Sequence, residues 1–101
     1  MPLAFFWSWW KRPTWPREDL RFVLYTRRGC HLCDDALAVL EQARRDYRFA
    51  LATIDIDADP QLVEQYGNDV PVVTVNGKVR FRGRVSEVLL RRLLRAKTQR
   101  D

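Results

Sequence analysis

An α/β domain built on a mixed four-stranded sheet is what this chain of 101 residues predicts, and three observations carry it. Runs of β-forming residues alternate with amphipathic helical stretches. Two of those runs, residues 20–26 and 49–56, are each followed by a helical pattern, which calls for parallel strands joined by a right-handed crossover. A third run, Val72–Val75, is joined to a fourth through Asn76-Gly77, a two-residue hairpin signal that adds an antiparallel edge. The predicted order is βαβαββα in a single domain, with no internal repeat.

Each element has its own local reason. Phe22-Val23-Leu24-Tyr25-Thr26 is apolar and rich in β-formers, so residues 20–26 read as a buried strand. After Gly29 the pattern turns helical and runs to about Arg45. Leu32, Ala36, Leu37, Leu40 and Ala43 fall on one face, with Asp34, Asp35, Glu41 and Arg44 mainly off it. The second strand, 49–56, has Leu51 at its centre and Ile54-Asp55-Ile56 at its end. Asp59-Pro60 starts a short helix, a capping carboxylate followed by proline in the first turn, and Gly67 stops it after Tyr66. Val70-Pro71 introduces the third strand, and residues 78–81 return from the hairpin. Gly83 breaks the chain, Ser86 caps, and Val88, Leu89, Leu93 and Ala96 stripe a final helix. Residues 98–101 are expected to fray.

Composition narrows the function. An apolar fraction of 47% and a charged fraction of 31% fit a globular chain with one modest core. The +5 net charge comes from 18 Lys and Arg against 13 Asp and Glu, scattered without an aromatic–basic module, so nucleic acid is not expected as a partner. Residues 1–19 stand apart as a tryptophan-rich extension holding all 4 tryptophans (Trp7, Trp9, Trp10, Trp15) with Phe5 and Phe6. Its apolar stretch is too short to span a bilayer and lacks signal-peptide flanks. Aromatic residues followed by Lys11-Arg12 suit contact with a membrane surface through residues 3–15; a flap over the domain or a partner-ordered segment are the alternatives. The remaining domain is 20–97, and a cytoplasmic monomer is expected.

The chemistry concentrates in Cys30-His31-Leu32-Cys33, which holds the 2 cysteines of the chain. Cysteines three apart at the start of a helix lie within disulfide reach. The first sulfur sits at the helix N-terminus, where free backbone N–H groups and the helix dipole stabilise a thiolate. No other cysteine is available for a structural framework, so an intracellular dithiol is the natural reading. Arg27, Arg28 and, when protonated, His31 would acidify Cys30 further, while Asp34 opposes them. His31 is the single histidine, and no second histidine or carboxylate stands at ligand spacing, so no metal site is expected in one chain.

The combination of Tyr25-Thr26-Arg27-Arg28-Gly29-Cys30-His31-Leu32-Cys33, Ile54-Asp55-Ile56-Asp57 and Val70-Pro71-Val72 resembles the short bacterial glutaredoxin-like proteins of the thioredoxin-fold superfamily. The resemblance covers 20–97. It implies a thioredoxin-like fold with a cis Val70-Pro71 bond beside the cysteines, and a backbone at Val70 that pairs with substrate. It further implies thiol-disulfide oxidoreductase activity, with Cys30 the nucleophile and Cys33 the resolving thiol. No bound cofactor is implied, and glutathione enters as a cosubstrate. The partner is a disulfide-containing protein or a glutathione mixed disulfide. Residues implied to contact it are Arg27, Val70, Pro71, Arg82, Gly83, Arg84 and Ser86. The match departs from glutathione-using members at the usual Gly-Gly pair, here Arg82-Gly83, and at the following acid, where Ser86 or Glu87 stands. The first strand also has Val23 and Leu24 where thioredoxins carry a buried carboxylate. Two further readings compete: a thioredoxin-fold binding module docking through the tryptophan-rich N-terminus, and a metal or iron–sulfur carrier formed by a dimer sharing its cysteines.

Overall fold

A computed structural model of the chain describes residues 20–98, so the N-terminal extension and residues 99–101 lie outside the described part. The elements are β1 (Arg21–Thr26), α1 (His31–Ala43), β2 (Ala50–Asp55), a 3-10 turn (Ile56–Ala58), α2 (Pro60–Tyr66), β3 (Val72–Val75), β4 (Lys78–Arg82) and α3 (Glu87–Thr98). The sheet order is β2-β1-β3-β4. β1 runs parallel to β2 and antiparallel to β3, and β3 runs antiparallel to β4. The hairpin therefore places only β4 at the edge. β3 lies inside, and all four of its residues are buried, as an interior strand covered on both faces requires.

Alternation along β1 divides the apolar side chains between two cores. Phe22 and Leu24 point to one face, where they meet Ala36 and Leu40 of α1 and Leu90 and Leu94 of α3. Tyr25 packs on the other face with Tyr66, Leu62 and Val63 of α2, above Ile56 and Val72. The first core is the larger because it carries two helices; the second has only the short α2.

Several local outcomes refine the sequence reading. The buried stripe of α1 is Cys33, Ala36, Leu40 and Ala43. Leu32 was expected on this face and is instead 38% exposed, because one residue before Cys33 places it about 100° round the helix. β2 ends one residue early, where the Asp55 carboxylate accepts the Asp57 N–H at 3.0 Å and turns the chain into the 3-10 segment. The Asp59 cap of α2 accepts the Gln61 N–H at 2.9 Å. Gly67 ends α2 in a right-handed conformation (φ −52°), so left-handed freedom is not its role. Glycine is needed because a Cβ there would lie 2.5 Å from the Val63 carbonyl oxygen.

Asn76 (φ 51°) and Gly77 (φ 86°) form the expected hairpin turn, both left-handed. Asn76 is also bonded to the start of β1: its side chain accepts the Arg21 N–H, and its own N–H donates to the Arg21 carbonyl, each at 2.8 Å. The stripe expected on the last helix is corrected. Leu90 and Leu94 are the fully buried residues, with Leu93 partly packed, whereas Val88 is 68% and Leu89 50% exposed. The sequence of α3 offers two overlapping apolar faces, and tertiary contacts choose between them. Burial of Leu90 and Leu94 in the larger core sets the rotation of the helix, and Arg91, bonded to Asp46 at 2.8 Å, is compatible with it. Thr98 is the last residue of this helix rather than part of a tail.

The two faces of α3 make a direct test. Leu90→Ala is expected to cost about 2–5 kcal/mol in urea unfolding, whereas Val88→Ser stays within about 0.5 kcal/mol of the parent chain.

Candidate active site

The sheet register gathers three loops at one end. Tyr25 and Thr26, at the C-terminal end of β1, pair with Ile54 and Asp55 of β2 on one side, and Tyr25 pairs with Val72 of β3 on the other. The loop carrying Arg27 to Cys30, the Asp55 to Asp57 turn and the Val70-Pro71 segment therefore meet beyond the carboxyl ends of the parallel strands, the usual ligand end of an α/β sheet.

Cys30 and Cys33 are joined in a disulfide, with Cα atoms 5.2 Å apart. Gly29 (φ 76°) supplies the turn into the motif. Cys30 is the N-cap of α1, and its Sγ accepts the Cys33 backbone N–H at 3.1 Å. The two sulfurs differ in access: Cys30 is partly exposed, while Cys33 is 1% exposed beneath the first turn. Thr74 is the sole buried polar or charged side chain among the described residues, so no buried carboxylate lies under Cys33. Among the described residues no three His, Cys, Asp or Glu side chains come together as a metal site.

The arginines expected at the site have distinct surroundings. Arg27 is fully engaged along one edge: Nη2 donates to Asp57 Oδ1 at 2.7 Å, Nε to Asp57 Oδ2 at 3.3 Å, and Nη1 to the Gly67 carbonyl at 3.1 Å. It thereby ties the cysteine loop to the end of β2 and the end of α2. The hydrogen bond to Arg27 holds the Asp57 carboxyl below its ordinary pKa, and the same bond raises that of Arg27. Arg82 donates to Asp69 at 2.8 Å and lies over the Tyr66 ring, 5.8 Å from its centroid. Arg28 and Arg84 are exposed, as is His31. The Ser86 hydroxyl caps α3, accepting the Leu89 N–H at 3.3 Å.

The Val70-Pro71 peptide bond is cis, as the resemblance implied. Gly83 (φ 83°) donates its N–H to both the Asp69 and Pro71 carbonyls, at 3.0 and 2.8 Å, and so bonds the end of β4 to this segment. Among the described residues the N–H and C=O of Val70 have no hydrogen-bond partner. The sequence reading thus named the sulfurs and the proline segment but missed Asp57, Gly67 and Asp69, the acceptors that position its arginines. The available signal was Asp55-Ile56-Asp57 at a strand end: a buried isoleucine between two aspartates presents both carboxylates on one side of a turn.

Fold and site together define a thioredoxin-fold protein bearing a CxxC disulfide at the start of its first helix. The chain belongs to the family of the glutaredoxin-like domain (DUF836), whose model matches residues 21–95. A glutaredoxin-like protein of Dictyostelium discoideum is 36% identical over 76 residues, 69% of this chain and 70% of that protein. A crystal structure from X. campestris is 37% identical, covers 74% of this chain and 96% of its own, and superposes with a TM-score of 0.63. A thioredoxin of Halobacterium salinarum, 24% identical over 80% of this chain and 76% of its own at a TM-score of 0.63, shares the fold. No described helix is long and apolar enough to cross a membrane.

The Arg27–Asp57 bond has a pH signature. Because Asp57 titrates below its unfolded value, its contribution to stability is present at neutral pH and is lost as pH falls through the depressed folded pKa. Urea unfolding at a series of pH values should show Asp57→Asn less stable than the parent at pH 7, with the two converging below the ordinary carboxylate range of about 3.9.

Proposed function

We propose that this protein is a small thiol-disulfide oxidoreductase that cycles between a Cys30, Cys33 dithiol and the Cys30–Cys33 disulfide. The observation that carries this reading is the asymmetry of the pair: an accessible sulfur at a helix N-cap and a buried sulfur one turn in. A disulfide serving only as a staple gains nothing from placing one sulfur where backbone N–H groups favour its thiolate.

In the reducing direction, the Cys30 thiolate attacks one sulfur of a substrate disulfide. A Cys30–substrate bond forms, the substrate S–S bond breaks, and the departing thiolate takes a proton from solvent. Cys33, having lost its own proton, then attacks the Cys30 sulfur; the second substrate thiolate leaves and the Cys30–Cys33 bond forms. The substrate gains two electrons and the protein loses two, which two equivalents of an external thiol restore as they are themselves joined in a disulfide. Without a buried carboxylate, the proton of Cys33 passes to the departing thiolate or to water. The Cys33 N–H that bonds Cys30 Sγ stabilises the thiolate as attacker and as leaving group. Arg28, an exposed cation, and the exposed His31 beside Cys30 are the closest such side chains in sequence to that charge, and they are assigned as its tuners.

Substrate recognition is assigned to the opposite wall. The unpaired N–H and C=O of Val70 suit a short β-type pairing with an extended polypeptide beside its disulfide. Pro71 and Gly83 shape that segment and Arg82 braces it through Asp69; Arg84 and Ser86, in the segment leading into α3, are assigned as further contacts.

Two variants separate the assigned roles. With a disulfide-bonded protein substrate, Cys33→Ser is expected to accumulate a mixed disulfide through Cys30, visible as a covalent adduct by mass spectrometry, and Cys30→Ser to form none. An alkylation-rate titration of the reduced protein should place the Cys30 thiol below the ordinary value of about 8.5. An ordinary thiol with no adduct in Cys33→Ser would overturn the assignment.

A further inference from the structure

We propose that Asp57 is a built-in occupant of the carboxylate-binding edge of Arg27, and that it makes the site discriminate against small carboxylate-bearing thiols such as glutathione. Disulfides read through the backbone at Val70 are favoured in consequence. This rests on the oxidoreductase reading and names its substrate class.

A guanidinium recognises a carboxylate best through two parallel N–H donors on one edge. Arg27 lies three residues before Cys30, in the loop that leads into the cysteine pair. The edge formed by Nε and Nη2 is already filled, however. Nε and Nη2 donate to the two oxygens of Asp57, and Nη1 is held by the Gly67 carbonyl. A second carboxylate can reach the same donors only by displacing a group of the protein itself.

The occupant is also held in place. Asp57 lies on the 3-10 turn, whose first residue, Ile56, is fully buried. The Asp55 carboxylate accepts the Asp57 N–H and closes that turn. Asp57 therefore meets Arg27 with little ordering left to do. A carboxylate attached to the same chain competes at an effective concentration of order millimolar or above, which a free thiol must match. Of the two further arginines expected at the ligand, Arg82 is paired through a single hydrogen bond, Nη1 to Asp69 at 2.8 Å, and Arg84 is exposed. The arginine nearest in sequence to the cysteines with a filled two-donor edge is thus Arg27, and its edge is the one a ligand carboxylate has to contest.

The test uses the full chain and S-methylglutathione, a thioether that keeps both carboxylates of glutathione but cannot exchange. Binding is read from amide chemical-shift titration of isotope-labelled protein. Asp57→Asn is expected to bind about tenfold more tightly than the parent, and adding Arg27→Gln to abolish the gain. Asp57→Ala should reproduce the gain, guarding against a peculiarity of the asparagine. Equal affinity in parent and both Asp57 variants would overturn the proposal, as would a gain that survives Arg27→Gln. The readout needs no thiol chemistry, so a protein that binds as expected yet never forms the Cys30 adduct refutes the oxidoreductase reading and leaves this one standing.

Discussion

The pairing of β1 with β2 on one side and β3 on the other is the constraint on which the rest depends. Phe22 and Leu24 can fill one core while Tyr25 fills the second only in one register, since a slip by one residue would exchange the faces. That same register fixes which loops meet. The Asp55 turn and the Val70-Pro71 segment come to the cysteines because their strands end beside Tyr25 and Thr26. Burial of the core and assembly of the site are thus one event.

At the site, one sulfur serves two purposes. Cys30 Sγ is both the helix cap of α1 and half of the disulfide. In the proposed cycle the Cys30 thiolate would keep that acceptor in place, and its charge would strengthen the bond to the backbone N–H. The start of α1 would therefore have a cap in both oxidation states. Cys33 is different: it is almost fully buried and bonded to Cys30, which is why the proposed cycle gives it the resolving step.

Much of this was legible in the sequence, for identifiable reasons. Asn76-Gly77, Asp59-Pro60 and the cysteine spacing encode their geometry in the residue types themselves, and each formed as read. What was not legible depended on partners distant in the chain. The rotation of α3 turned on which leucines could pack against β1 and α1, and Leu90 and Leu94 did so, leaving Val88 and Leu89 outside. The engagement of Arg27 turned on a carboxylate thirty positions away. A lone arginine near a cysteine reads as an open cation in the sequence. Only the folded chain reveals that its charge has a counterpart.

The bonds between Asn76 and Arg21 stitch the hairpin to the first residue of β1, at the far end of the sheet from the disulfide. β1 spans about 17 Å between Arg21 and Thr26 at the usual rise per residue. The tryptophan-rich extension joins the domain at that stitched end. The hairpin stitch and the disulfide thus occupy opposite poles of a single strand, so a change at the Asn76 turn reaches the cysteines only through the full length of β1.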